Sequence, residues 1–143
     1  MPTVLIIDDD IDTLKLVDLM LKKSGYRVMT APSAAAGMEK LKAERPDCII
    51  LDIMMPGKSG IELLKELNKA RGAPPVILFS AKRQIPDVIE GMEAGAFRYL
   101  VKTATREQLV KAIEDAIADP RSRPPSRDDR PGGGDEPEWW RRG

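Results

Sequence analysis

The sequence contains no histidine. That absence removes His-based serine triads, His-ligated metal centres and an internal phosphohistidine, and leaves carboxylates, hydroxyls and lysine to carry any chemistry. Only one cysteine is present, Cys48, so no internal disulfide can form. It lies inside an apolar run and is expected to be a buried structural residue in a reducing compartment. Net charge is lacking too: 23 Lys+Arg balance 23 Asp+Glu. This argues against a strongly basic nucleic-acid module and against attraction to an acidic membrane surface. Long apolar runs are missing as well. Met1-Pro2-Thr3 has no basic n-region, and Val4–Ile7 is too short for a signal peptide or a membrane span, so the expected location is cytoplasmic.

What remains is a chain of 143 residues, long enough for one domain with a real core. Its most informative stretch is Cys48-Ile49-Ile50-Leu51-Asp52, four apolar residues ending in a carboxylate and bounded by Pro46-Asp47 and Pro56-Gly57. A short run of this kind suits a strand covered on both faces. Similar runs recur at Val4-Leu5-Ile6-Ile7, at Tyr26 to Thr30, at Val76-Ile77-Leu78-Phe79 and at Phe97 to Val101. Helical spacing fills the intervals. Ile11, Leu14, Val17 and Leu21 mark a first helix stopped by Gly25, and Ser33 caps a second carrying Met38 and Leu41. A loop from Gly57 to Gly60 precedes a third helix at about Ile61 to Lys69. Ile85, Val88, Ile89 and Met92 mark a fourth, closed by Gly95. Thr105-Arg106-Glu107-Gln108 is a capping-box pattern opening the last, which carries Leu109, Ile113 and Ile117. Five alternations of strand and helix predict an α/β fold, a five-stranded parallel sheet with helices on both faces.

The predicted domain ends at residue 118. Residues 119–143 turn Pro-, Gly- and Arg-rich, with Trp139-Trp140 as the only large apolar residues, and are expected to form a flexible tail whose Trp pair is a candidate docking anchor.

In an open α/β sheet, ligands sit at the carboxyl ends of the strands. Those ends deliver Asp8-Asp9-Asp10, Asp52, Ser80 and Lys102 to one edge. Clustered carboxylates repel and raise one another's pKa unless a divalent cation or an ammonium compensates. Hard oxygen ligands suit Mg²⁺, and a cation site beside a free carboxylate, a lysine and a hydroxyl is a phosphoryl-transfer arrangement.

These motifs resemble the receiver domain of two-component response regulators, of the single-domain, chemotaxis-regulator kind, over residues 1 to about 118. Val4-Leu5-Ile6-Ile7-Asp8-Asp9 is similar to the family's acidic pair. Leu51-Asp52-Ile53-Met54-Met55-Pro56-Gly57-Lys58-Ser59-Gly60 is similar to its phosphoacceptor segment, Phe79-Ser80-Ala81 to its hydroxyl motif, and Tyr99-Leu100-Val101-Lys102 to its switch aromatic and lysine. The resemblance implies a doubly wound, flavodoxin-like (βα)5 fold with strand order 2-1-3-4-5. It implies a signalling switch in which Asp52 takes a phosphoryl group from a sensor histidine kinase, with Mg²⁺ held by Asp8, Asp9, Asp52 and the Met54 carbonyl. Lys102 would pair with Asp52, Ser80 would move toward the phosphoryl group, and Tyr99 would turn inward. Asp10 and Asp12 match no obligatory family position and are expected to be helix N-terminal charges favourable to the dipole. Met54 and Lys82 stand where the family tunes dephosphorylation. The chain would act only on itself, as no enzyme of an external substrate. Its partner would be a downstream protein or a phosphotransfer protein, and it carries no nucleic-acid-binding domain. One departure stands out. Thr103 replaces the proline that in the family follows the lysine in a cis bond, so the loop either keeps that strain or turns trans and shifts Lys102. A second is Phe97-Arg98, where DNA-binding members with a charged dimer face carry an acidic pair.

The rival from another class is a haloacid-dehalogenase-like phosphohydrolase with Asp8-Asp9-Asp10 as its Asp-x-Asp nucleophile motif. It wants a later acidic pair at a strand end, and only Glu114-Asp115, Asp128-Asp129 and Asp135-Glu136 are on offer. A receiver-like module that only binds protein is the other alternative, opposed by the presence of every site residue type.

Overall fold

The computed structural model describes residues 1–70, 72–81 and 85–120, with only the backbone for 85–87. Strands β1 (Thr3–Ile7), β2 (Arg27–Ala31), β3 (Cys48–Leu51), β4 (Val76–Ser80) and β5 (Arg98–Val101) alternate with helices α1 (Ile11–Lys23), α2 (Ala34–Ala43), α3 (Gly60–Asn68), α4 (Ile85–Glu93) and α5 (Arg106–Ala118). All strand pairs are parallel, in the order β2-β1-β3-β4-β5. This is the predicted doubly wound sheet. Residues 121–143 of the tail, including its Trp pair, lie outside the described residues.

The alternation of side chains along a strand splits the core in two. Leu5, Ile7, Ile49, Leu51 and Leu78 pack under Leu41, Leu63, Leu64 and Leu67 of α2 and α3. Val4, Ile6, Ile50, Ile77 and Phe79 pack under Leu14, Val17 and Leu21 of α1 and Leu109, Ile113 and Ala116 of α5. Cys48 belongs to this second cluster, and burial pushes its thiol up to about 12, which makes it inert.

The element ends follow local chemistry. Ser33 accepts from the Ala36 N–H as the N-cap of α2, and Thr105 with Gln108 closes a complete capping box on α5. Helix α1 ends as the glycine suggests. The Gly25 N–H donates to Lys22 O and the Tyr26 N–H to Leu21 O, a Schellman motif with Gly25 at φ +91°.

Several expectations need correction. Ile11 is not part of the buried stripe of α1 but is 54% exposed. It opens the helix beyond the strand ends, where the sheet offers nothing to cover it. β2 starts at Arg27 rather than Tyr26, because the Tyr26 N–H is spent on the helix end and Arg27 is the first to bond across, to Pro2 O. Helix α3 starts at Gly60, inside the stretch read as loop, with Ser59 as its N-cap accepting from the Glu62 N–H at 3.2 Å. On α4 the apolar marks divide. Val88 is half-buried and Gly91 and Ala94 face inward, while Ile89 and Met92 are exposed.

Candidate functional site

The sheet carries its ladder one residue past the strands, and this fixes the backbone of the site. The Asp8 N–H donates to Ala31 O, the Asp52 N–H to Ile7 O, and the Lys102 N–H to Ser80 O, at 3.0, 3.0 and 2.9 Å. Asp8 and Asp52 thus leave adjacent central strands side by side, where Ile7 pairs with Leu51. Both are buried, as is Ser80, while Asp9 is exposed.

Four of the sequence-predicted residues, Asp8, Asp9, Asp52 and Lys102, come together. One oxygen from each of Asp8, Asp9 and Asp52 lies within 4.8 Å of the others. Lys102 reaches across from β5, its Nζ 2.9 Å from Asp8 Oδ2 and 3.5 Å from Asp52 Oδ2. The ammonium therefore bridges both carboxylates and sits closer to Asp8, where the sequence suggested Asp52. Burial first, and then the neighbouring Asp8 charge, push the Asp52 carboxyl up to about 6, against the pull of Lys102 and the Met54 N–H. Burial pulls Lys102 down, but its bond to Asp8 and the two carboxylate charges outweigh that and leave it above its ordinary value.

The segment after Asp52 folds over the carboxylate. The Met54 N–H points at Asp52 Oδ1 at 3.4 Å, while the Met54 side chain stands 56% exposed. Gly57 follows Pro56 with φ +79°, a left-handed conformation that glycine takes without a steric penalty. Lys58 pairs with Glu66 on α3, which draws its charge away from the acids. Lys82 lies outside the described residues.

Asp10 belongs to the helix, as expected. Its carboxylate accepts from the Asp12 N–H and the Thr13 hydroxyl, and the Thr13 bond is the chief reason its pKa is lowered. The loop that carries Lys102 also has an answer. No described peptide bond is cis, so Lys102–Thr103 is trans, and a turn closed by the Ala104 N–H on Val101 O leads directly into the Thr105 cap. Lys102 reaches both acids from this trans loop.

Two glycines matter that the sequence did not single out for this. A Cβ on Gly60 would lie 2.0 Å from the Asp52 carbonyl oxygen, and the Gly60 N–H donates to Ile53 O at 2.9 Å. A Cβ on Gly91 would meet Leu78 Cδ1 at 2.5 Å and Tyr99 Cδ2 at 3.3 Å, so its bare backbone makes room for the half-buried Tyr99. The local signal for the first was Ser59-x-x-Glu62, which puts Gly60 at the start of a helix. Gly60→Ala is expected to lower unfolding free energy by about 1–3 kcal/mol, because the clash is with backbone that cannot rotate away. Urea denaturation checks this, and an unchanged midpoint would mean that α3 can stand off from Asp52.

The donor set is hard, anionic and all oxygen, which fits a divalent cation such as Mg²⁺. The hydrolase rival fares worse. Asp115 of α5, from its candidate acidic pair, is engaged by Arg98 at the start of β5 and by Lys111, not at a strand's carboxyl end. Asp128-Asp129 and Asp135-Glu136 lie outside the described residues.

Comparison with known proteins agrees with this geometry. The family model for the response regulator receiver domain matches residues 4–114. The transcriptional regulatory protein GlrR of Escherichia coli is 38% identical over 113 residues, 79% of this chain and 26% of its own length. The chain spans about a quarter to a half of the curated relatives it matches most strongly. A response regulator structure from Chloroflexus aurantiacus superposes with a TM-score of 0.79 at 31% identity, covering 82% of this chain and 98% of that one. The chemotaxis protein CheY4 of Vibrio cholerae does so at 0.74 and 30%, covering 81% and 98%. Receiver domains use Mg²⁺ at an acidic site and interact with histidine kinases and downstream effectors. The chain belongs to the response regulator receiver domain family, the phosphoryl-accepting switches of two-component signalling.

Proposed function

We propose that Asp52 is the phosphoacceptor of this switch. The observation that carries the reading is the convergence of two buried carboxylates on adjacent strand ends with one lysine bridging both. An Asp52 carboxylate oxygen attacks the phosphorus of a phosphohistidine on a sensor kinase. The P–N bond breaks, the electron pair returns to the imidazole, and an acyl phosphate remains on Asp52.

Asp8, Asp9, Asp52 and the Met54 carbonyl would hold Mg²⁺, which when bound supplies positive charge to the phosphoryl oxygens. Lys102 holds Asp8 and Asp52 in register in the resting site and is within reach of a phosphoryl group on Asp52. Ser80, at the end of β4, offers a hydroxyl to the same group, and Tyr99 packs inward as Ser80 moves. Output is through the surface of α4, β5 and α5, where Ile89 and Met92 are exposed. Arg98 is held there by Asp115 at 2.9 Å, and Lys111 shares the same carboxylate at 3.0 Å. Its charge is therefore answered within its own face rather than offered to a second copy. A downstream protein or a phosphotransfer protein that binds one state better reads the switch.

Incubation with Mg²⁺ and acetyl phosphate tests the acceptor. The wild type is expected to gain one phosphoryl mass and Asp52→Ala none; equal uptake by both would sink the assignment.

A further inference from the structure

A cleft of about 480 Å³ opens between the β3–α3 segment and α4, lined by Ile53, Met54, Pro56 and Ile61, with Glu90 on the α4 wall. Its size is that of a ligand or side-chain site, and the Met54 thioether stands exposed at its rim. Apolar walls rich in methionine favour aromatic side chains, and a carboxylate at the edge favours a cation beside them. This chain has such a segment. Trp139-Trp140-Arg141-Arg142 holds the only two tryptophans of the protein, followed at once by two arginines.

We propose that Trp139-Trp140-Arg141-Arg142 docks into this cleft of its own chain, indole rings against Met54, Pro56 and Ile61 and guanidinium on Glu90. Reach supports an intramolecular contact. Helix α5 returns the chain to the sheet edge opposite the cleft, and residues 121–138 then connect Pro120 to the Trp pair. A domain of this size has a radius of gyration of about 14 Å. A chain of that length spans about 60 Å when extended. A connector that can span the gap makes docking intramolecular, at an effective concentration in the millimolar range. A second cleft, lined by Pro74, Pro75, Met92, Phe97 and Asp119, adjoins the point where the chain leaves α5. The same connector reaches it too, and a variant in each cleft separates the two. The inference does not depend on which residue accepts a phosphoryl group.

Tryptophan emission of the full chain reads the segment directly, because no other tryptophan contributes. A millimolar effective concentration half-fills a site whose intrinsic dissociation constant is about 1 mM, so acrylamide quenching should fall about twofold relative to a peptide of residues 120–143. The emission should also shift to the blue. Glu90→Lys and Met54→Lys should each return both readings to the peptide's values with the far-ultraviolet circular dichroism unchanged, and Met92→Lys in the second cleft should not. Peptide-like emission in the wild type would overturn the proposal. So would protection that survives both cleft variants, that Met92→Lys removes, or that vanishes on dilution, since the last would mean that a second copy supplies the segment.

Discussion

Asp52→Asn is expected to make the metal-free protein more stable at pH 7, although it removes the residue at the heart of the site. Asp52 is buried beside Asp8, and its carboxyl is raised from an ordinary 3.8 to about 6 in the folded chain. Between those two values the native state binds more protons than the unfolded state, so stability falls as pH rises from about 4 to about 6. Above that window the cost of ionised Asp52 is fully present, at most about 3 kcal/mol for a shift of this size. Asparagine keeps the shape, can still accept from the Met54 N–H, and leaves Lys102 paired with Asp8. The expected gain at pH 7 is about 1–3 kcal/mol, several degrees in Tm. The gain should disappear below pH 4, where Asp52 is protonated in both states. Urea titrations of both proteins in a chelator, from pH 3 to 7, measure this. A variant no more stable at pH 7 would show that Lys102 fully compensates the two acids.

Lys102→Met should act in three directions at once. Removing the bridge leaves Asp8 and Asp52 facing each other with no ammonium between them. Deleting one partner of a buried ion pair costs about 3–5 kcal/mol, but Asp52 can take a proton, so the loss should be smaller, about 2 kcal/mol. Divalent-cation affinity should rise, since the competing positive charge is gone. Phosphoryl uptake should nevertheless fall about 100-fold, because a fixed cation at the developing charge is lost. Cation titration together with uptake from acetyl phosphate separates these effects. Tighter cation binding with undiminished uptake would mean that Lys102 only organises the resting acids.

Much of this site was legible because strand ends are legible. Short apolar runs ending in Asp52, Ser80 and Lys102 put those side chains on one edge without any knowledge of distances. The caps at Ser33 and Thr105 and the glycine stop at Gly25 were equally local. What the sequence did not disclose depends on approach between distant segments. Gly60 matters because the Asp52 carbonyl lies against it, and Gly91 because Leu78 and Tyr99 do. Ile11 looked like core because it shares a helical spacing with Leu14, yet no sheet lies beneath it. Lys102 was expected to pair with Asp52 but lies nearer Asp8, a matter of distances between side chains on separate strands that no spacing in the sequence carries.

Locating the phosphoryl group is the most direct test of the account. Borohydride reduces an acyl phosphate on aspartate to the alcohol, which marks the acceptor as homoserine after proteolysis and mass spectrometry. After exposure to acetyl phosphate and Mg²⁺, the mark should fall at position 52 alone. A mark at position 8 or 9 with position 52 unmodified would contradict the assignment of Asp52 as the nucleophile.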